Sequence, residues 1–183
     1  MQGLAIPLIV TLLGASAWAV REDLLAHRIS NRLTGSLLCV ALALQFAFGG
    51  WSGLGHAALG ALVGLAVLLP LYVLGAMGAG DVKFLAALGA LLDPHWALIA
   101  GLYTLIAGAV LAGGHLILGT LRAAVLPAGA PWVLRIHNAR ERAQQLRRER
   151  FPYALAIVAG VFAAVVQRGD LQIMVGFLSG TLR

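Results

Sequence analysis

Long apolar blocks alternate with short polar stretches along this chain. The blocks cover residues 3–20, 33–49, 54–77, 82–92, 95–121 and 152–167, with a last piece at 171–182. Most are rich in Ala, Leu, Gly and Val. An apolar helix needs about 20 residues to cross a bilayer. The pattern therefore predicts an all-α, polytopic membrane helix bundle of about six transmembrane helices. Block 82–92 is short for a crossing unless Gly78–Asp81 or residues past Pro94 extend it. The piece 171–182 is short too, and a seventh span or a re-entrant segment stays open there. Small residues such as Gly60, Gly64, Gly75, Gly101 and Gly108 let neighbouring helices approach closely. Gly60 and Gly64 form a GxxxG spacing, which reads as packing in a chain with 23 glycines.

Composition agrees with the pattern. The chain is 61% hydrophobic and 11% charged, with a mean hydropathy of +0.92, where soluble domains carry about 25% charged residues. Residues 1–183 read as one membrane-embedded domain with a cytoplasmic basic loop at about 122–151. A net charge of +6 raises the question of nucleic acid, but the positions of the charges answer it. Loops 21–32, 75–83 and 122–151 hold eleven of the thirteen Lys/Arg. Two spans separate each of these loops from the next, so all three can face the cytoplasm, as the positive-inside rule requires. The opposite loops, near 50–54, 93–95 and 167–170, are short, and only Arg168 is basic there. The expected arrangement has the N-terminus outside and no nucleic-acid partner.

The 122–151 loop has its own pattern. Trp132, Ile136, Ala139, Ala143 and Leu146 step by helical intervals, with Arg135, Arg140, Arg142, Arg147 and Arg148 between them. That spacing suits a basic amphipathic helix on anionic membrane lipids. A solvated loop that only sets topology fits equally well. No basic residue precedes the first apolar block and Arg21 follows it, which favours a retained first helix over a cleaved signal. Cys39 is the single cysteine, so no disulfide within the chain and no cysteine-based zinc site can form. The four Trp fall near expected interfaces.

The candidate chemistry lies in two carboxylates. Only seven residues are acidic, and Asp23 and Asp81 sit at the edges of apolar blocks, where an acid is costly and marks function by default. Both belong to the cytoplasmic edge in this topology. A carboxyl pair that shares a proton can hydrolyse a peptide: the ionised member takes a proton from the attacking water, and the protonated member donates to the carbonyl oxygen. Gly78 and Gly80, just before Asp81, give the backbone conformations denied to other residues and let a second chain approach. Plainer readings stand beside this one. Asp81 could cap a helix or relay a proton, and Asp23 could be a solvated loop charge paired with Arg21 or Arg28. Glu22 reads as a loop charge able to nudge the pKa of Asp23. Lys83 could stabilise the ionised pair, contact substrate or snorkel. His27, His56, His95, His115 and His137 form no HExxH, and no serine lies in a GxSxG elbow. Neither a zinc protease nor a serine protease is favoured, and no metal or cofactor is expected.

Three stretches carry a family resemblance. Asp23-Leu24-Leu25-Ala26-His27-Arg28-Ile29-Ser30-Asn31 resembles a D-x5-I-P-N segment. Gly78-Ala79-Gly80-Asp81-Val82-Lys83 resembles G-x-G-D-x-K. Phe151-Pro152-Tyr153-Ala154 resembles a Pro-Tyr-Gly/Ala segment. Together they look like the type IV prepilin peptidases, membrane aspartyl proteases of the GxGD class. The resemblance implies Asp23 and Asp81 as the catalytic dyad, with Gly78, Gly80, Lys83 and Asn31 binding substrate or supporting the dyad. It implies cleavage of prepilin leader peptides at the cytoplasmic face of the bacterial inner membrane. Ser30 stands where the family usually has proline. Nothing in the chain corresponds to the cysteine-bearing cytoplasmic region of the family's long forms. The chain therefore resembles the short form associated with tight-adherence (Flp-type) pili, and N-methylation is not expected.

Overall fold

The computed structural model describes residues 6–26, 29–124 and 153–169, apart from the side chains at 115, 116 and 119–124. Among the described residues all regular structure is helical: α1 Ile6–Ala26, α2 Asn31–Val73, α3 Ala79–Leu91, α4 Pro94–Ala124 and α5 Tyr153–Arg168. The chain divides into two compact units, Met1–Gly108 with Pro152–Arg183 and Ala109–Phe151. The candidate residues all lie in the first.

α2 is two helices joined at a sharp break. Gly50 takes φ 58 and ψ −145, a backbone region open essentially to glycine alone. Beyond the break the chain turns back so tightly that a side chain on Gly53 would strike the backbone carbonyl of Gln45. The break falls where the apolar pattern separates blocks 33–49 and 54–77. The second half ends in a Schellman turn: Gly75 at φ 71, its N–H donating to the Tyr72 carbonyl, and the Ala76 N–H donating to the Leu71 carbonyl. This turn satisfies carbonyls that a helix end leaves without partners.

α3 is the central helix. Phe84, Leu85, Leu88 and Leu91 are fully buried, and Lys83 is the one residue of the helix's second turn that is exposed. The chain builds this packing from small residues. Gly60 lies against the carbonyls of Gly89 and Leu92, and Gly64 against that of Leu85. These pairs make the second half of α2 antiparallel to α3. The first half runs parallel to α3, since Asn31 meets Lys83 near one end and the Gln45 amide donates to the Ala90 and Leu91 carbonyls near the other. Gly60 and Gly64 thus serve packing, as their spacing predicts. The sequence block 82–92 is extended at its start, and α3 begins at Ala79 with Asp81 in its first turn.

α4 packs Gly101 on Val67, and α5 runs antiparallel to α4 through Gly160 on Thr104 and Gly108 near Tyr153. At the C-terminal end of α5, Arg168 pairs with Asp93 at 2.9 Å and lies 5.8 Å from the Trp96 ring centre. Tyr103 donates to Gln167 at 2.9 Å. Asn31–Val73 and Pro94–Gly114 are long and apolar enough to cross a membrane by length and composition. Large apolar side chains such as Trp51, Leu62, Ile106 and Val110 face outward, which suits a lipid surround better than water. The basic pattern at 132–149, with Arg135, Arg140, Arg142, Arg147 and Arg148, lies outside the described residues, as do Pro152 and the piece 171–182.

Candidate active site

Asp23 occupies the last turn of α1. It points inward with 5% of its surface exposed, so it is not a solvated loop charge. Its Oδ2 accepts the Ala154 N–H at 3.1 Å. Ala154 is the second residue of α5, and the first N–H groups of a helix have no acceptor within the helix. The carboxylate satisfies one of them and sits at the positive end of the helix dipole. A buried acid is tolerated when it is hydrogen-bonded in this way.

Asp81 occupies the first turn of α3. Its Oδ2 accepts the Gly78 N–H at 3.1 Å, and its own N–H donates to the Gly78 carbonyl at 3.2 Å. This is the acidic half of a capping box, so the helix-cap reading of Asp81 is realised. Tyr153 opens α5, next to Ala154. The N-terminal turn of α5 meets Asp23 through the Ala154 amide, and α5 packs against both α1 and α3.

Two contacts dock the segment after α1 onto the start of α3. A side chain on Gly80 would come 3.0 Å from the Ile29 carbonyl oxygen, so only a glycine lets these backbones meet without adjustment. Beside it the Lys83 ammonium donates to the Asn31 side-chain oxygen at 3.0 Å. Asn31 and Lys83, picked from sequence as separate candidates, are thus partners. Gly78 has φ −82 and ψ 151, which any residue can adopt. Among the described residues, positive φ occurs at Gly50, Gly75 and Gly169. Backbone freedom is therefore not what Gly78 and Gly80 contribute; close approach at Gly80 is.

Glu22, which the sequence presents as a loop charge, instead lies in α1 and holds Ser30. Its side chain accepts the Ser30 N–H at 3.0 Å and the Ser30 hydroxyl at 3.2 Å, and it also accepts the Trp18 indole N–H at 3.1 Å. Glu22 lies beyond the apolar stretch 3–20, and the Ser30 amide holds its carboxyl below the usual 4.5, helped by Trp18, the Ser30 hydroxyl and Arg21. The only signal for this in the sequence was Ser30 itself, a residue with an N–H where the resembled segment has none.

Among the described residues the fold is helical with outward apolar surfaces, and the two acids lie at the end of α1 and the start of α3. Residues 8–113 match the type IV leader peptidase family. The match spans more than half of the chain, and the chain belongs to that family. It takes in Asp23, Asn31, Gly78, Gly80, Asp81 and Lys83, whereas Tyr153 lies beyond it. No curated protein and no solved structure gives a significant match.

Proposed function

We propose that the protein is an aspartic endopeptidase that removes the leader peptide of type IV, Flp-like prepilins at the cytoplasmic face of the inner membrane. The observation that carries the reading is that the two acid-bearing helix ends are docked: Ile29, just after α1, lies against Gly80 beside Asp81, and Asp23, buried at the end of α1, is held by the Ala154 amide. Membership of a leader peptidase family supports the reaction class. The six-span, N-outside arrangement follows from the positive charges of the loops. It puts the α1, α3 and α5 ends that bear Asp23, Asp81 and Tyr153 on the cytoplasmic side.

In this reading the two acids share one proton, because like charges at close range in a poorly solvated site cannot both ionise cheaply. The ionised acid accepts a proton from water as the water attacks the scissile carbonyl. The protonated acid donates to the carbonyl oxygen, and the same pair then returns a proton to the leaving amine. The substrate is a precursor with a basic leader and an apolar helix, the helix lying among the spans. Gly78, Gly80, Lys83 and Asn31 support the dyad or bind the substrate beside it. The basic 122–151 stretch binds anionic lipids through Arg135, Arg140, Arg142, Arg147 and Arg148. No cofactor is required.

Asp23→Asn and Asp81→Asn test the dyad. Each abolishes leader removal when the variant is co-expressed with a prepilin and the mature pilin N-terminus is weighed by mass spectrometry. Full processing by either variant sinks the dyad assignment. Function retained in both favours a non-enzymatic subunit of a pilus-assembly or transport system. Cleavage of other membrane helices but not prepilins favours a different GxGD protease.

A further inference from the structure

We infer that Glu22 is a positioning residue: its clasp on Ser30 fixes Ser30 and its neighbours Ile29 and Asn31 against the end of α1 and thereby sets the two candidate acids in register. The inference rests on the peptidase reading for its consequence in catalysis, and on geometry for the clasp itself. Glu22 immediately precedes Asp23, so any force on its side chain acts on the last turn of α1. Its carboxylate takes both donors of Ser30, eight residues on, and a third from Trp18. Hydrogen bonds to a charged acceptor are about twice as strong as neutral ones.

The clasped residue is the hinge of the site. Ser30 is the N-cap of α2: its hydroxyl oxygen accepts the Leu33 N–H at 3.2 Å, and its carbonyl accepts the Thr34 N–H at 3.2 Å. Its neighbour Ile29 lies against Gly80, and its other neighbour Asn31 receives the Lys83 ammonium. A line of contacts therefore runs from Asp23 through Glu22, Ser30 and Ile29 to Gly80, the residue before Asp81. If the Glu22 link is cut, Ile29 and Asn31 keep their contacts with α3 but Ser30 loses its hydrogen bonds to α1.

Ser30 itself supplies the test. It sits at φ −71 and ψ 142, inside the range to which a proline ring confines φ. Proline at position 30 cannot accept the clasp, because it has neither the N–H nor the hydroxyl. It fixes covalently the dihedral that the clasp fixes by hydrogen bonding. Glu22 should then matter when residue 30 is serine and hardly at all when it is proline.

Four purified proteins in lipid vesicles suffice: wild type, Glu22→Ala, Ser30→Pro and the double variant, assayed for cleavage of a prepilin. The quantity read is the cost of Glu22→Ala within each background, not the level of Ser30→Pro itself. With serine at 30, Glu22→Ala lowers kcat about tenfold with KM within about twofold, the signature of lost orientation rather than lost binding. With proline at 30 the same change costs less than about twofold. Equal costs in the two backgrounds, or no cost with serine, overturn the inference. Hydrogen exchange of the 29–33 amides, measured without substrate, reads the clasp directly and accelerates several-fold in Glu22→Ala. Unchanged exchange also overturns it. Accelerated exchange in Glu22→Ala, with a wild type inert towards prepilins, overturns the peptidase reading and leaves the clasp standing.

Discussion

At the residue scale, small changes at the α1–α3 junction have different expected costs. Gly80→Ala puts a methyl 3.0 Å from the Ile29 carbonyl. A shift of a few tenths of an ångström absorbs it, and we expect prepilin cleavage to fall about two- to fivefold, following the sensitivity of oriented reactions to small displacements. Gly80→Val brings two further carbons and should lower the rate by about a hundredfold or more. Equal rates for the two variants, in a cleavage time course, would argue against close approach as the role of Gly80. Lys83→Met removes the donor to Asn31, an exposed hydrogen bond, and should destabilise the fold by no more than about 1 kcal/mol in a thermal or denaturant titration. A larger loss of activity than of stability would give Lys83 a part in the chemistry.

The Glu22 carboxyl also makes a pH prediction. Its pKa in the folded protein lies below the ordinary 4.5, first because the Ser30 N–H donates to it. A depressed folded pKa stabilises the fold above the unfolded value, and that stabilisation disappears as the pH falls through the folded value. The melting temperature of wild type should therefore exceed that of Glu22→Gln at neutral pH. The gap should persist at pH 5 and narrow only below pH 4.5. A gap that widens on acidification contradicts the assignment.

At the scale of elements, the apolar blocks were legible because a membrane helix announces itself by length and hydrophobicity. The boundary at residue 50, the packing role of Gly60 and Gly64, and the acids at helix edges all follow from local sequence. The pairing of helix ends was not legible, because it depends on contacts between distant segments. Nothing local tells Asp23 that its partner is the Ala154 amide, or tells Asn31 that it meets Lys83. The sequence allows Asp81 to be either a cap or a catalytic acid, and its geometry shows that the cap is real. The α2–α3 contact should be the most sensitive to size. Gly60→Val drives a side chain into the Gly89 and Leu92 carbonyls, where overpacking costs at least about 1–3 kcal/mol. The variant should show lower yield from membranes and a lower melting temperature, whereas Gly55→Val, at a glycine with open space around it, should show neither.

At the scale of the molecule, polar contacts among the described residues of the first unit gather at two opposite ends. One end holds Glu22, Asp23, Asn31, Asp81, Lys83 and the start of α5. The other holds Asp93, Trp96 and Arg168, where the ion pair joins the α3–α4 turn to the end of α5. If charge sets the topology as proposed, cysteines introduced at 22 and at 95 label from opposite sides of the membrane in intact cells. Labelling of both positions by a membrane-impermeant reagent would refute the arrangement.

The hydrogen bond from Ala154 to Asp23 joins residues 131 positions apart. A ribosome makes the acid early and its amide partner late. When Asp23 and Asp81 have both been made, the turn of α5 that holds Asp23 has not. A chain halted before residue 153 holds both candidate acids and lacks the backbone that seats the first. Under the proposed dyad, the seat of the first acid is therefore completed only by the last of the described helices.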